Sequence, residues 1–441
     1  MGKNSWFVTA ALAVVLLDAL SGKAQDRVTR VRQDIERFSR SDRWVYNDFA
    51  RGRQLAQASG KPMLVVFRCV PCEACSEFDK QLIEHEEELS DLLDQFVCVR
   101  IIHMNGVDLR LFQFDFDQSM HLVFLHPDGT VYARFGTRSP RPEHEDITLA
   151  GLRRAMERVL AWHAGYPANK ARFEGKQPRP VEVAFAEQFP TLKGRYGSKL
   201  DVQGQVVASC IHCHQVREAQ RAMARQSMQK LSDELLFPQP LPDVIGLRMD
   251  PNYCARVAEV SPQSPAAEAG LRPGDELEEL AGQPLASTAD IQWVLHHTPG
   301  EAELPCVVRR GDRRLEVTIR LSEGWRQKSD ISWRPTTWDL RRQATGGMRL
   351  AEVPAEVRRR LGLAPDMPAL FVQHVGQYGD HAVAKRAGFQ AGDVIVQVDG
   401  RPAPQRETDF IAYALSKPAG STVTAQVRRG QQVLTLRYNT Q

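Results

Sequence analysis

The residues in this sequence whose types and spacing could do chemistry are its eight cysteines: Cys69, Cys72, Cys75, Cys98, Cys210, Cys213, Cys254 and Cys306. Five of them fall in two short clusters. A two-residue spacing inside a cluster suits redox, metal or haem chemistry better than the scattered pattern of a disulfide framework. The first cluster, Cys69-Val-Pro-Cys72-Glu-Ala-Cys75, follows the apolar run Pro62 to Phe67 and precedes the helical segment Phe78 to Leu93. A cysteine at a helix N-terminus feels the positive end of the dipole, which lowers its pKa and favours the attacking thiolate. Two CxxC registers overlap there, Cys69 with Cys72 and Cys72 with Cys75, so all three are catalytic candidates.

The second cluster is Cys210-Ile-His-Cys213-His214. CxxCH is the attachment pattern of c-type haem: two thiols at this spacing reach two vinyl groups, and the adjacent His214 places its imidazole on the iron. Met223 and Met228, on a helical stretch from Gln215 to Leu236, are candidate second ligands. Cys210, His212, Cys213 and His214 equally suit zinc or copper, and the two cysteines suit a disulfide. The surrounding segment 166–239 is rich in Pro, Arg, Gln and Lys and reads as a linker carrying the motif.

The elements that must position these residues are legible on either side. The chain opens with Lys3, an apolar stretch from Trp6 to Leu17, and small residues at Ser21, Gly22 and Ala24, which is a signal-peptide profile over 1–24. Asp18 interrupts the apolar run, and no later segment is apolar enough to span a membrane, so the mature protein is expected to be exported to an oxidising envelope compartment with no span after signal cleavage. With 57 Lys and Arg against 54 Asp and Glu, the net charge of +3 marks no nucleic-acid binder. At 441 residues the chain calls for several domains.

Downstream of a helix over Val28 to Phe38, an amphipathic helix is expected over Trp44 to Ser59, then a strand Pro62 to Phe67, a helix Phe78 to Leu93, a strand Phe96 to Ile102, a hairpin of His121 to Leu125 with Val131 to Phe135, and a helix Ile147 to His163. This order resembles the thioredoxin fold over about 40–165. The resemblance makes Cys72 the nucleophile and Cys75 the resolving thiol when counted from Phe67, while Pro71 in Cys69-Val-Pro-Cys72 imitates the familiar motif. The family's cis-proline before the hairpin is missing; Met120 stands nearest to its place.

The C-terminal half repeats itself. Ala269-Gly-Leu-Arg-Pro-Gly-Asp275 returns as Ala387-Gly-Phe-Gln-Ala-Gly-Asp393, and Val308-Arg-Arg-Gly311 returns as Val427-Arg-Arg-Gly430, at offsets of 118 and 119 residues. Each copy carries a later helix, Ala289 to His297 or Asp409 to Ser416. The copies resemble PDZ domains of bacterial HtrA-type proteases over 240–322 and 345–440, joined by a linker 323–344, with an insertion-like helix Val353 to Leu363 in the second. That resemblance implies capture of extended or C-terminal peptide segments, with carboxylate loops at Gly246 and Leu247 and at Gly347 and Met348. No Gly-x-Ser-x-Gly is present, and proteolysis is not expected.

The expected fold class is therefore multidomain α/β plus β-rich: a thioredoxin-like domain, a short helical CxxCH segment and two PDZ-like domains. Phe67 to Cys72, Met104 to Leu109 and Cys210 to Gln215 are similar to a family of bacterial exported thioredoxin-like/PDZ proteins, some with selenocysteine in the redox motif. The resemblance implies thiol–disulfide exchange on envelope proteins or peptides brought in by the PDZ domains, with a c-type haem as accessory centre. A non-catalytic peptide-binding scaffold and a c-type electron-transfer protein are the alternatives. Cys254 and Cys306, in apolar strand patterns, are expected to be buried thiols or a structural pair.

Overall fold

The structure, a computed structural model, describes residues 26–71, 76–84, 86–226 and 230–441. Cys72, Cys75, Met228 and the signal segment 1–24 lie outside the described residues. The first domain is a five-stranded sheet in the order β1-β3-β2-β4-β5. Its strands are β1 (Trp44–Tyr46), β2 (Met63–Arg68), β3 (Val97–Ile101), β4 (Met120–Leu125) and β5 (Val131–Phe135). β2 lies parallel to β3 and antiparallel to β4. The unbroken apolar run of β2 has a direct cause, since successive side chains alternate faces and both faces are covered. Leu64 and Val66 pack with Phe78, Leu82 and Leu152 on one side, and Met63, Val65 and Phe67 pack with Ala56, Phe112, Phe114 and Ile211 on the other.

Helix α1 (26–38) leads into β1, and α2 (Phe49–Ser59), α3 (Ser76–Glu84), α4 (Ser90–Leu93) and α5 (Leu149–Ala164) follow. The helix expected over Trp44 to Ser59 starts later. Trp44 pairs with Cys98 as a short parallel strand, Asn47 turns at φ 53°, and the Asp48 carboxylate caps α2 by accepting from the Arg51 amide at 2.9 Å. Three strand residues are too few to show a period of two. The helix expected over Phe78 to Leu93 is likewise divided, with a 3₁₀ turn at Glu86–Leu89 that buries Leu89 beside Leu92 and Leu93.

Segment 166–239 is not a loose linker. Ala186, Phe189, Leu192, Ile211 and Val216 join the core on the second face of the sheet, so this stretch forms its missing layer. The helix expected over Gln215 to Leu236 is two helices, α6 (Cys213–Gln226) and α7 (Asp233–Leu236), the second capped by the Ser232 hydroxyl.

The first repeat contains β6 (Leu247–Met249), β7 (Val257–Val260), α8 (Pro265–Glu268), β8 (Glu276–Leu280), β9 (Gln283–Pro284), α9 (Thr288–His296), β10 (Ala302–Arg310) and β11 (Arg313–Leu321). The stretch 323–344 is not free either: Trp325 belongs to the first repeat's core, and α10 (Thr337–Thr345) to the second's through Leu340 and Ala344. The second repeat continues with β12 (Met348–Glu352), α11 (Ala355–Arg360), β13 (Leu370–Val375), α12 (Val383–Arg386), β14 (Val394–Val398), β15 (Arg401–Pro402), α13 (Glu407–Leu415), β16 (Thr422–Arg429) and β17 (Gln432–Asn439). The repeated residues make one repeated contact. Arg310 forks onto Asp275 and donates to the Gly270 carbonyl, and Arg429 does the same with Asp393 and Gly388, each Nε to carboxylate distance being 2.7 Å.

Candidate redox site

β2 ends at Arg68 and delivers Cys69 at the same edge of the sheet where β3 delivers Ile102. The Cys69 amide donates to the Ser119 carbonyl at 2.7 Å, in the loop entering β4, and its side chain is turned inward, with the residue 4% exposed. Met120, at the place of the absent proline, pairs with Arg68 and is buried. Beneath the turn runs a buried ion network. Arg68 binds Asp79 at 3.0 Å and Arg100 binds both Asp79 and Asp34. Burial opposes ionisation of Asp79, yet Arg100 and Arg68 outweigh it and hold the carboxyl below its ordinary range.

The CxxCH segment lies against this turn. Cys69 Sγ stands 3.0 Å from Nδ1 of His212, and Val70 packs with Ile102, Val31 and Val206. Cys210 Sγ is 3.8 Å from the Ile102 carbonyl. The segment is pinned by Asn105, whose Oδ1 accepts from the Ile211 amide at 2.8 Å while Nδ2 donates to the carbonyls of Gly197 and Ser209 at 2.8 and 3.0 Å. The Met104 amide also donates to the Ile211 carbonyl at 2.8 Å. Gly106 follows at φ 68°, where an added Cβ would lie 2.7 Å from the Ser198 carbonyl, so both the turn and the approach require glycine. Cys213 is the first residue of α6, at its positive end. Cys69 of the first motif and His212 of the second, separated by 143 positions in sequence, thus meet in space.

A covalent haem would need both sulfurs at an open face with the His214 imidazole presented beside them. Cys210 and Cys213 are instead 5% and 7% exposed with Ile211 fully buried between them. The imidazole turned to the cysteine turn is that of His212, while His214 Nδ1 faces Glu218 one helical turn on at 3.2 Å. Met223 is nine residues beyond His214 on the same helix, a rise of about 13 Å, and cannot meet it across one iron. The residues as arranged do not fit a haem. Among the described residues no group of three His, Cys, Asp or Glu side chains is placed to hold a zinc or copper ion. Cys98, Cys254 and Cys306 are buried thiols outside any disulfide, so of the two alternatives for the last two the structural pair is not formed, and burial pushes the three up to about 12, 11 and 12.

The two peptide-loop candidates are formed but covered. Gly246 turns at φ 85° and Leu247 is buried against Val260. The facing helix α9 is spent on the first domain: Asp290 accepts from the Arg134 amide at 3.1 Å and pairs with Lys176 at 2.7 Å, Gln292 accepts from Thr137, and Trp293 donates to the Gly175 carbonyl. In the second repeat Gly347 turns at φ 89° and Met348 is buried, with its carbonyl accepting from Thr345 Oγ1 at 2.7 Å. β12 is the sheet's edge strand, yet its Leu350 amide donates to Glu407 of α13 at 2.7 Å and α10 packs over it. Arg341 of α10 locks onto the same Glu407 at 2.6 Å. Sequence reasoning missed Asn105, His212 as the partner of Cys69, and Glu407; a buried-contact role leaves no spacing signal.

Comparison with known proteins agrees with this architecture. Residues 44–127 match a thioredoxin-like family, and residues 256–310 and 374–440 match two PDZ domain families. A probable periplasmic serine endoprotease DegP-like of Marinomonas sp. is 25% identical over 181 residues, 41% of this chain and 36% of that protein. The regulator of sigma-E protease RseP of Salmonella typhimurium is 29% identical over 180 residues, 41% of this chain and 34% of that protein. The chain thus spans about a third of the length of the curated relatives it matches. The crystal structure of the HtrA3 PDZ domain bound to a phage-derived ligand aligns at 28% identity over 17% of this chain and 81% of that one, with a TM-score of 0.16. No helix among the described residues is long and apolar enough to cross a membrane. The chain is a thioredoxin-like domain followed by two PDZ domains.

Proposed function

We propose that this protein is an exported thiol–disulfide redox protein in which the cysteine turn and the CxxCH pair work as one centre, with peptide segments of envelope partners engaged through the PDZ domains. The observation that carries the reading is the 3.0 Å contact between Cys69 Sγ and His212 Nδ1. A neutral imidazole at that distance accepts the thiol proton and leaves a thiolate paired with an imidazolium, the arrangement that activates a cysteine for attack on a disulfide sulfur. Because Cys69 is buried, its part is that of an inner thiol exchanging with other cysteines of the chain. Cys72, with Cys75 as its resolving partner, is the thiol expected to meet the substrate. Cys210 and Cys213 act as a second dithiol at the N-terminus of α6 and take the place assigned to a haem.

The test is mass-mapped alkylation of the reduced mature protein over a range of pH. Cys69 in His212→Gln should react about tenfold more slowly near neutrality, because its thiolate fraction falls when the base is removed. Cys69 rates that coincide at every pH in the two proteins overturn the reading. Peptide mapping of the oxidised protein should find a disulfide linking Cys69, Cys72 or Cys75 to Cys210 or Cys213.

A further inference from the structure

A cleft unrelated to the thiols opens where α6, α7 and α9 meet the segment 109–116. It has a volume of about 200 Å³, is walled by Phe114, Phe116 and Trp293, and continues into a neighbouring cleft of about 480 Å³ through shared residues that include Leu109 and Gln220. One cation lines it without a full set of partners. Arg217 is 4% exposed, stacks over Phe116 and donates from Nη1 to Gln220 at 3.0 Å, but its Nε is buried with no acceptor. The two carboxylates that act on it are already engaged, Asp115 by Arg334 at 2.8 Å and Asp117 by Arg334 and Thr336 at 3.1 and 2.7 Å.

The charge balance around the cleft points the same way. Five buried cations, Arg134, Lys176, Arg217, Arg221 and Arg334, stand against the buried carboxylates Asp115, Asp117 and Asp290. An uncompensated buried charge is costly, and burial accordingly lowers the Arg217 pKa. The two histidines at the wall add no cation near neutrality, since burial pulls both His296 and His297 down, the latter to about 4. Glu234 is the carboxylate at the lining.

We propose that this cleft binds a small organic anion, a single carboxylate carried on an aromatic or apolar body, with the carboxylate on Arg217 and Gln220 and the body between Phe114, Phe116 and Trp293. A charge-assisted fork supplies orientation and the aromatic walls supply the apolar contact, the usual division in ligand sites. This inference stands apart from the thiol chemistry and neither supports nor needs it.

Calorimetric titration of the full mature protein with phenylacetate, and with phenethylamine as a cation of the same shape, tests it. Phenylacetate should bind and phenethylamine should not. Arg217→Met should weaken phenylacetate about 10- to 100-fold, the worth of a hydrogen-bonded charge, and Glu234→Gln should tighten it. Gln220→Leu, which keeps every buried charge and removes only the neutral partner of Arg217 Nη1, should weaken it by a smaller factor and serves if Arg217→Met does not fold. Equal binding of the amine, no binding of the acid at millimolar concentration, or unchanged affinity in both Arg217→Met and Gln220→Leu overturns the inference.

Discussion

Replacing Asn105 by alanine tests whether the CxxCH segment is held against the cysteine turn in the way described. The side chain is 3% exposed and makes three hydrogen bonds: Oδ1 accepts from the Ile211 amide, and Nδ2 donates to the carbonyls of Gly197 and Ser209. Truncation leaves a donor and two acceptors unpaired. At about 1 kcal/mol for each neutral bond, and more where the orphaned group stays buried, the loss is about 3–5 kcal/mol. The cost falls on local undocking rather than on global unfolding, because the bonds tie down Gly197, Ser209 and Ile211 and none of the sheet's own strands. Native-state alkylation measures it. If Cys210 reacts through local opening, its labelling rate in Asn105→Ala should rise about 100-fold or more, while Cys98, in the central sheet, should not change. Cys69 should also lose the reactivity lent by His212. A Cys210 rate within about threefold of the parent protein would refute the assignment of Asn105 as the staple.

Three further outcomes are expected. Cys98, Cys254 and Cys306 have thiol pKa values raised by burial to about 12, 11 and 12, so the unfolded chain loses these protons first as pH rises; their contribution is whole below about pH 8.5 and is lost between there and pH 12, which urea melts across alkaline pH will register as falling stability. Protein purified from a haem-maturing host should be colourless after denaturing electrophoresis and should keep both Cys210 and Cys213 alkylatable; retained colour would overturn the dithiol assignment. Leu340→Ala should cost about 2–5 kcal/mol in the second PDZ core and loosen α10, so that a peptide with a free apolar C-terminus binds more tightly by fluorescence polarisation than to the parent protein, with the amidated peptide as control.

What could be read in the sequence was whatever leaves a local period or a fixed spacing. β2, the β4–β5 hairpin and the two PDZ repeats were visible because apolar runs, turn residues and the paired Gly-Asp and Arg-Arg-Gly elements are contiguous. The strand β1 reads as helix in the sequence because three residues carry no period of two. Segment 166–239 reads as a linker because Ala186, Phe189, Leu192 and Ile211 are buried one at a time outside any α-helix or strand, among Pro, Arg and Lys, and only Val216 sits on a helix. The two cysteine motifs were each legible, and their junction was not. It depends on Asn105 and on the side chain of His212 pointing to Cys69 while that of His214 points away, and neighbouring residues on a turn entering a helix are separated only by three-dimensional direction.

Helix α6 gives that junction a mechanical consequence. It begins at Cys213 beside the cysteine turn and runs 14 residues, about 21 Å, as one rod. Its far half is fastened to the second PDZ domain by buried arginines. Arg221 Nη1 donates to Thr336, the residue before α10, at 2.7 Å, and Arg225 donates to the carbonyls of Lys417 and Gln441 at 3.0 Å. On the β12 edge the Leu350 amide is already held by Glu407 of α13 and the Met348 carbonyl by Thr345 of α10, so strand addition there must displace side chains of both helices. Moving α10 disturbs Thr336, and with it both the Arg221 bond and the Asp117 carboxylate that Thr336 serves on the first domain. Each of these groups is buried, so breaking either bond without a replacement partner is costly. Helix α6 therefore ties the CxxCH segment, through Arg221 and Thr336, to the helix that packs over the β12 edge.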